Sequence, residues 1–129
     1  MRRAIGAGVV LAMLGGAALA AVSTEVTMLN GAKITLYLRP FLTATDLATL
    51  RLVATNPEAL KLFVPSDKGF AAIALAPAEG FLQDGKPVAS AFAIAELPDA
   101  ATAAAKALEG CDAARKSGVA CVIVMEIGH

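Results

Sequence analysis

The sequence predicts an α+β fold: a small antiparallel sheet of about four strands with a long C-terminal helix packed on it. Three observations support this class. Short β-branched or small apolar runs alternate with segments of helical spacing, capping residues mark the helix starts, and turn residues separate neighbouring strands. The expected order is β-α-β-β-α-β, and the only two cysteines, Cys111 and Cys121, are expected to form one disulfide bond.

Local signals between residues 32 and 65 predict the first strand and two helices. Residues 32–38 (AKITLYL) are partly β-branched and aromatic, with a glycine before them and a proline two residues after them, which favours a strand. Thr43 and Asp46 have the spacing of a capping box, in which each side chain satisfies a free backbone N–H. Asn56-Pro57-Glu58 indicates a second helix of about two turns, because Asn caps helices and Pro suits the first turn. Pro65 is expected to end it.

The second half is predicted as two strands, a long helix and a last strand. Residues 70–75 and 88–97 are the two strands, and the Gly- and Pro-rich segment 77–87 between them is expected to be a surface connection of the hairpin type. The helix begins at Pro98-Asp99 with Asp99 as its cap, runs to about Lys116 and is ended by Gly118. Residues 120–127 form the last strand.

Helical and strand periods predict which side chains of these last two elements face the core. The apolar face of the helix is expected to carry Ala101, Ala104, Ala105, Leu108 and Cys111. On the last strand, Cys121, Ile123 and Met125 are expected to point one way, and Val122, Val124 and Glu126 the other. Both cysteines therefore occupy core-facing positions, one on the last helix and one at the start of the last strand.

The N-terminus has the pattern of an export signal. Met1-Arg2-Arg3 is a short basic region, residues 4–22 carry no charge, and Ala18-Leu19-Ala20 fits a cleavage site. We therefore expect a signal peptide over residues 1–20, a single small domain over residues 21–129, and a periplasmic or secreted location. The competing interpretation is an uncleaved anchor, since about 20 apolar residues can span a bilayer. Gly15-Gly16 and the cleavage site favour removal, which leaves no stable membrane anchor.

Export into an oxidising compartment favours a structural disulfide between Cys111 and Cys121. The bond would close a loop of about 11 residues and contribute about 2–3 kcal/mol in the chain-entropy model. A redox-active pair is the first alternative, but nine residues separate the cysteines, whereas redox motifs have the spacing C-x-x-C. Two free thiols are the second alternative.

Composition argues against several classes of function. Without residues 1–20, nine basic residues stand against 11 acidic ones, and this net charge near −2 does not support nucleic-acid binding. The absence of Trp and the single Tyr disfavour an aromatic platform for sugars. The only histidine is His129, the last residue, which we expect to be frayed. A Ser-His-Asp, Cys-His or transition-metal site is therefore not expected.

Two pairs of side chains remain as candidates for a site. Glu79 and Asp84 lie in the 77–87 connection, and paired carboxylates support glycoside hydrolysis, although solvated turn acids are the simpler interpretation. Tyr37 and Arg39 alternate on one strand face, where they form either a small anion-binding spot or the edge of the core. No catalytic, cofactor-binding or metal-binding residue is assigned.

Two segments of the chain are similar to segments of known proteins. Residues 69–81 (GFAAIALAPAEGF) resemble a YGAIAVSPDEGL segment, and residues 103–124 (AAAKALEGCDAARKSGVACVIV) resemble an AAALAECDAKRKGGAPCVIVA segment. Through both segments the chain resembles a family of small exported alphaproteobacterial proteins. The similarity extends from about Val26 to Glu126. Proteins of this family are often labelled 5-aminolevulinic acid synthase, although the family patterns imply relationship rather than an activity.

The label implies an enzyme whose required residues can be compared with those of this chain. The synthase is a pyridoxal-phosphate enzyme several times this length, and it needs a Schiff-base lysine, a carboxylate facing the pyridine nitrogen and a phosphate cup. Outside the expected signal peptide the lysines are Lys33, Lys61, Lys68, Lys86, Lys106 and Lys116. None stands in a recognisable cofactor motif, so we expect no cofactor and no synthase activity.

Two functions of different classes remain open. The first is a non-catalytic exported module that binds an envelope protein or a small molecule. The second is a small enzyme or enzyme inhibitor that acts through the 77–87 connection, because Gly- and Pro-rich loops on rigid scaffolds often carry function. A concave pocket with convergent polar groups beside residues 77–87 would favour the second hypothesis, and a flat or convex surface there would disfavour it.

Overall fold

The computed structural model describes residues 22–116 and 118–129, so the expected signal peptide over residues 1–20 lies outside the described residues. The elements are β1 Thr24–Leu29, β2 Ala32–Tyr37, α1 Ala44–Thr55, α2 Pro57–Phe63, β3 Phe70–Leu75, β4 Leu82–Gln83, β5 Lys86–Pro87, β6 Phe92–Leu97, α3 Ala100–Ala114 and β7 Val122–Gly128. Within the described residues, an antiparallel five-stranded sheet has the order β1-β2-β7-β3-β6, and β4 pairs with β5. The α+β class, the antiparallel sheet and the C-terminal helix are confirmed.

The sheet has five strands rather than about four because β1, which was not predicted, pairs with β2 along its whole length. The turn between them is Asn30-Gly31, with φ angles of 51° and 83°. Two consecutive residues with positive φ are the requirement of a type I′ turn, and Asn-Gly is its strongest sequence signal. The order of elements therefore begins with a hairpin, and the two helices predicted from the caps at Thr43 and Asn56 follow it as α1 and α2.

The sheet is covered on both faces, and each face has its own apolar cluster. On one face, β2 and β3 contribute Ile34, Leu36, Ile73 and Leu75 to a core shared with α1 and α2. On the other face, α3 packs on alternate residues of β3 and on the strands beside it. That second cluster consists largely of alanines: Ala72, Ala74, Ala76, Ala103 and Ala107. Small side chains let the backbone of α3 approach the sheet closely.

The predicted helix starts are confirmed, and one of them also fixes a distant segment. Thr43 Oγ1 accepts a hydrogen bond from Asp46 N at 3.0 Å, and Asp46 Oδ2 accepts one from Thr43 N at 3.3 Å. Asn56 Oδ1 accepts one from Ala59 N at 3.0 Å at the start of α2. Asp46 is only 3% exposed, and its Oδ1 also accepts a hydrogen bond from Leu82 N at 3.2 Å. Asp46, a capping residue of α1, therefore also fixes the position of β4, which follows β3 in the chain.

Helix α3 has the predicted cap but a different buried face. Asp99 Oδ1 accepts a hydrogen bond from Thr102 N at 2.7 Å. The buried residues are Ala103, Ala107 and Cys111, whereas Ala101 and Ala105 are exposed, so the predicted face is wrong for these two positions. The helix is rich in alanine all round, so composition alone does not distinguish its inner face. It also ends at Ala114, before Lys116 and Gly118.

Strand β7 breaks the alternation predicted for it. Ile73 of β3 pairs with Met125, but the next residue, Ala74, pairs with Ile123, so Val124 is an extra residue in the ladder. An extra residue of this kind is a β-bulge, which re-aims the side chains that follow it. Ile123 packs in the cluster under α3, but Met125 packs in the core under α1 and α2. The expectation that Met125 shares the face of Cys121 and Ile123 is therefore wrong.

The segment between β3 and β6 is more structured than a surface connection. Strand β6 begins at Phe92, not at Val88, because residues 88–91 form a turn in which Ala91 N donates to Val88 O at 3.1 Å. The short strands β4 and β5 meet at Asp84-Gly85, where both φ angles are positive. Among the described residues, no helix is long and apolar enough to cross a membrane.

Candidate functional site

The disulfide between Cys111 and Cys121 joins the last turn of α3 to the chain just before β7. The two Cα atoms are 6.2 Å apart, and both residues are buried. Asp112 Oδ1 accepts hydrogen bonds from Cys121 N at 2.9 Å and from Arg115 Nε at 2.7 Å, and these contacts lower the pKa of Asp112. The predicted pairing is thus confirmed, and both cysteines pack in the apolar cluster beneath α3.

The 77–87 connection, predicted as an exposed binding loop, is held against the core at several points. Phe81 is buried, and its ring centroid lies 5.6 Å from that of Phe63 in α2. Leu82 N donates to the buried Asp46, and Val88 N donates to Phe81 O at 2.8 Å. Ala78 and residues 83–87 are exposed. The connection is therefore anchored to the core through Phe81 and Leu82, and residues 83–87 form its exposed part.

Glu79 and Asp84 line one open depression of about 310 Å³ together with Lys86 and Lys116. The structure therefore brings this predicted pair of carboxylates to one place. Glu79 Oε1 accepts a hydrogen bond from the buried Ser90 hydroxyl at 2.7 Å, and Oε2 accepts one from Lys116 N at 2.7 Å. The carboxylate of Glu79 thus joins the turn at Ser90 to the chain that follows α3 at Lys116. Asp84 occupies a turn position with a φ of 55°, a conformation that Asp tolerates better than most residues.

The side chains of the second predicted pair, Tyr37 and Arg39, are both hydrogen-bonded to residues of β7. Tyr37 donates a hydrogen bond from its hydroxyl to Glu126 Oε1 at 2.5 Å, and this bond is the main cause of a raised pKa of Tyr37. Arg39 donates from Nε and Nη2 to the carbonyl oxygen of Ile123, at 3.0 and 2.8 Å, and its guanidinium lies 5.2 Å from the Tyr37 ring centroid. These contacts tie the end of β2 to the bulged strand.

A different cavity, of about 380 Å³, lies between the β1–β2 turn, α2 and the C-terminal residues. We call it the α2 pocket. It is lined by Leu29, Asn30, Ala32, Pro57, Leu60, Lys61, Val64, Pro65, Ser66, Asp67 and His129. No signal in the sequence pointed to it, because its wall comes from separate segments that only the folded sheet brings together.

The α2 pocket has an apolar floor and a polar rim. Ala32 and Val64 are buried and Leu60 is half-buried, whereas Lys61 and Asp67 are exposed. Neither Lys61 nor Asp67 is in an ion pair with another described residue. Pockets of about 300–1,000 Å³ with apolar walls and a few polar groups are the usual form of small-molecule sites. The rim charges are thus available to a ligand that enters the pocket.

His129 lines the α2 pocket and is anchored rather than frayed. Its backbone N donates to the carbonyl oxygen of Gly69 at 3.2 Å, and its ring Nδ1 lies 2.8 Å from the same oxygen. Because a carbonyl oxygen only accepts hydrogen bonds, this contact requires a proton on Nδ1. The expectation of a frayed His129 is therefore wrong.

The remaining candidates for cofactor or metal chemistry are scattered over the surface. Each of the lysines named above as a possible Schiff-base residue is exposed. Within residues 22–116 and 118–129, no three His, Cys, Asp or Glu side chains are grouped as metal ligands would be. No protein-family model, no curated protein and no solved structure matches the chain. The function proposed below is therefore inferred from the geometry of the described residues.

Proposed function

We propose that this protein is an exported, non-catalytic binding domain, and that the α2 pocket takes a small amphipathic molecule. The observation that carries the proposal is the pocket itself, a cavity of about 380 Å³ with an apolar floor and charged groups at its rim. Its volume lies within the usual range for small-molecule sites. It is set apart from the disulfide, which braces the other face of the sheet.

The chemistry of the pocket indicates the class of ligand. An apolar group in the pocket would remove its own surface and the exposed part of Leu60 from water, which is favourable by about 25 cal/mol per Å², while Ala32 and Val64 are already buried. A charged or polar group on the same molecule would remain at the rim, near Lys61 and Asp67. Because these rim charges are exposed, their contribution is modest and sets orientation more than affinity.

Export and family membership form part of the proposal. The N-terminal basic and apolar pattern, the Ala18-Leu19-Ala20 site and the disulfide support a periplasmic or secreted protein. The similarity of residues 69–81 and 103–124 to small exported alphaproteobacterial proteins supports a relationship with that family. It does not support 5-aminolevulinate synthesis, because the lysines are exposed.

The alternative, an enzyme or inhibitor that acts through the 77–87 connection, has less support. A depression with polar groups does lie there, as that hypothesis requires. However, both carboxylate oxygens of Glu79 already accept short hydrogen bonds from Ser90 and Lys116. A carboxylate engaged in this way stabilises the local backbone and is poorly placed to transfer a proton to a substrate.

The proposal is tested with two fluorescent probes, the anionic anilinonaphthalene sulfonate and the neutral Nile red. The full chain is expressed in a Gram-negative bacterium and recovered from the periplasm, and mass spectrometry gives its N-terminus. We expect saturable binding of both probes, with one site per chain. Leu60→Gln should weaken both, whereas Leu62→Gln, on the same helix but 81% exposed and outside the pocket, should not.

Charge at the rim is tested with a second matched pair of variants. Lys61→Glu should weaken the anionic probe but leave the neutral probe unchanged, whereas Lys68→Glu, an exposed lysine that does not line the pocket, should change neither. Circular dichroism melts establish that each variant is folded. Absence of saturable binding, or equal effects of the pocket and control variants, would refute the proposal.

A further inference from the structure

The two edges of the five-stranded sheet are built differently. At one edge, β6 carries an irregularity at Glu96, whose φ is 65°, and its register with β3 shifts between Phe70 and Ala72. At the other edge, β1 contains six residues (TEVTML) in unbroken register with β2, with no proline, glycine or bulge. Bulges, prolines and charges are the usual means by which proteins prevent edge-to-edge pairing. Only the β6 edge has such an irregularity.

The pairing of β1 with β2 determines which backbone groups remain unused at the β1 edge. Leu38 N donates to Ser23 O at 2.8 Å, and this contact continues the β1–β2 register by one residue. Hydrogen-bonded pairs alternate along an antiparallel ladder, so Glu25, Thr27 and Leu29 also bond inward to β2. The N–H and C=O groups of Thr24, Val26 and Met28 therefore point outward, away from the sheet.

The side chains of these outward-bonding residues lie on a face that α3 leaves open. Glu25 contacts Arg51 of α1 at 2.8 Å, and Leu29 packs against the core under α1 and α2. By alternation, Thr24, Val26 and Met28 lie on the opposite face of the sheet. There α3 packs on β3, β6 and β7. Val26 is consequently 57% exposed and Met28 66% exposed.

We propose that a second copy of this chain pairs with the β1 edge, antiparallel, with Val26 of the two copies facing each other on a two-fold axis. The register follows from the outward groups. With Val26 opposite Val26, Thr24 of one copy faces Met28 of the other, and every outward N–H and C=O from Thr24 to Met28 finds a partner. A shift by two residues would leave some of these groups unpaired. The two sheets would then continue as one.

Charge complementarity supports a second copy as the occupant. The only charged residue of β1 is Glu25, and its carboxylate already contacts Arg51. In the proposed register, Glu25 faces Thr27 of the second copy, so no like charges meet across the axis. On the open face, the pairs are Val26 with Val26 and Met28 with Thr24, which covers both exposed apolar side chains. The strand is thus self-complementary in backbone, charge and apolar surface.

The oligomeric state is measured on the protein recovered from the periplasm, by size exclusion with light scattering and by sedimentation over a range of concentrations. We expect a dimer. Val26→Lys places two like charges on the axis and should raise the dimer dissociation constant by up to about fivefold, because facing like charges destabilise strand pairs. Leu52→Lys, at a position of α1 that is 53% exposed, is the matched control and should leave the dimer unchanged.

Cysteine crosslinking tests the register itself and does not depend on the effect of a lysine on folding. Facing residues of a hydrogen-bonded pair have Cα atoms about 5.5 Å apart, within the range of a disulfide. Val26→Cys should therefore give a covalent dimer under mild oxidation, whereas Met28→Cys should not, although Met28 is the more exposed residue. A monomer at all concentrations, or equal crosslinking of the two variants, would overturn the proposal. A dimer that Val26→Lys leaves intact would overturn it as well.

Discussion

Reduction of the Cys111–Cys121 bond is expected to lower the free energy of unfolding by about 2–3 kcal/mol. The cysteines are separated by 10 positions in sequence. In the chain-entropy model, a closed loop of this length removes roughly 9 cal/mol/K from the unfolded chain, which corresponds to about 2.8 kcal/mol at room temperature. The total stability of a domain is about 5–15 kcal/mol. Loss of the bond is therefore expected to lower the melting temperature by roughly 10–15 °C.

Urea unfolding of the oxidised and reduced protein, followed by circular dichroism, measures this difference. Both forms keep the buried sulfur atoms, so the comparison isolates the covalent link from any loss of packing. Since both cysteines are buried, reduction is carried out in denaturant before refolding with the reductant present. The slope of the free energy against urea should rise on reduction, because the unfolded chain without its link exposes more surface. A Cys111→Ala/Cys121→Ala double variant controls for the reductant, which should leave it unchanged.

Two results would refute this reasoning at different points. Alkylation of two thiols in freshly isolated, unreduced protein would show that the bond is absent. Equal unfolding free energies of the oxidised and reduced forms, with the bond demonstrated by mass spectrometry, would show that the link does not stabilise the fold through the unfolded chain. In that case the contacts between α3 and the sheet would suffice without it.

Two further predictions concern the sheet and the contact of α3 with β6. The hydrogen bond from Tyr37 to Glu126 raises the pKa of this tyrosine above its ordinary value of 10.0, so its contribution to stability is fully present below that pH and is lost as the pH rises through the folded-state pKa. Since Tyr37 is the only tyrosine and tryptophan is absent, an ultraviolet titration of the phenolate reports it directly, and an unchanged midpoint in Glu126→Gln would contradict the assigned cause. Gly110→Ala should destabilise the protein by about 1–3 kcal/mol, because a Cβ there would lie 2.5 Å from the Phe92 ring. Gly118→Ala meets nothing within 4 Å and should be nearly neutral in the same thermal melts, and a Gly110→Ala variant as stable as the wild type would contradict the close packing of α3.

Elements with strong local determinants were predicted well. Strand β3 has the predicted bounds, and the caps at Thr43, Asn56 and Asp99 make the expected hydrogen bonds. Each of these signals acts within three or four residues, so no knowledge of the rest of the fold is needed. The Asn30-Gly31 turn of the β1–β2 hairpin is a local signal of the same kind.

Features that depend on contacts between distant segments were not predictable in the same way. The bulge at Val124 arises from the pairing of β7 with β3, and it moves Met125 to the other face of the sheet. The inner face of α3 is chosen by the sheet beneath it, because an alanine-rich helix has no sharp apolar stripe of its own. The anchoring of His129 likewise needs the carbonyl of Gly69, 60 residues away in sequence.

The sequence by itself determined the fold class, the helix starts and the one possible pairing of two cysteines. It did so because capping, turn geometry and the alternation of side chains are local, and because two cysteines allow a single intramolecular bond. The tertiary structure determined the positions of the two proposed binding surfaces, the α2 pocket and strand β1. The α2 pocket is assembled from segments between Leu29 and His129. The edge of β1 is open because β1 is the terminal strand of the sheet, and its outer face is open because α3 packs on β3, β6 and β7. Both follow from packing between distant parts of the chain, which local patterns do not encode.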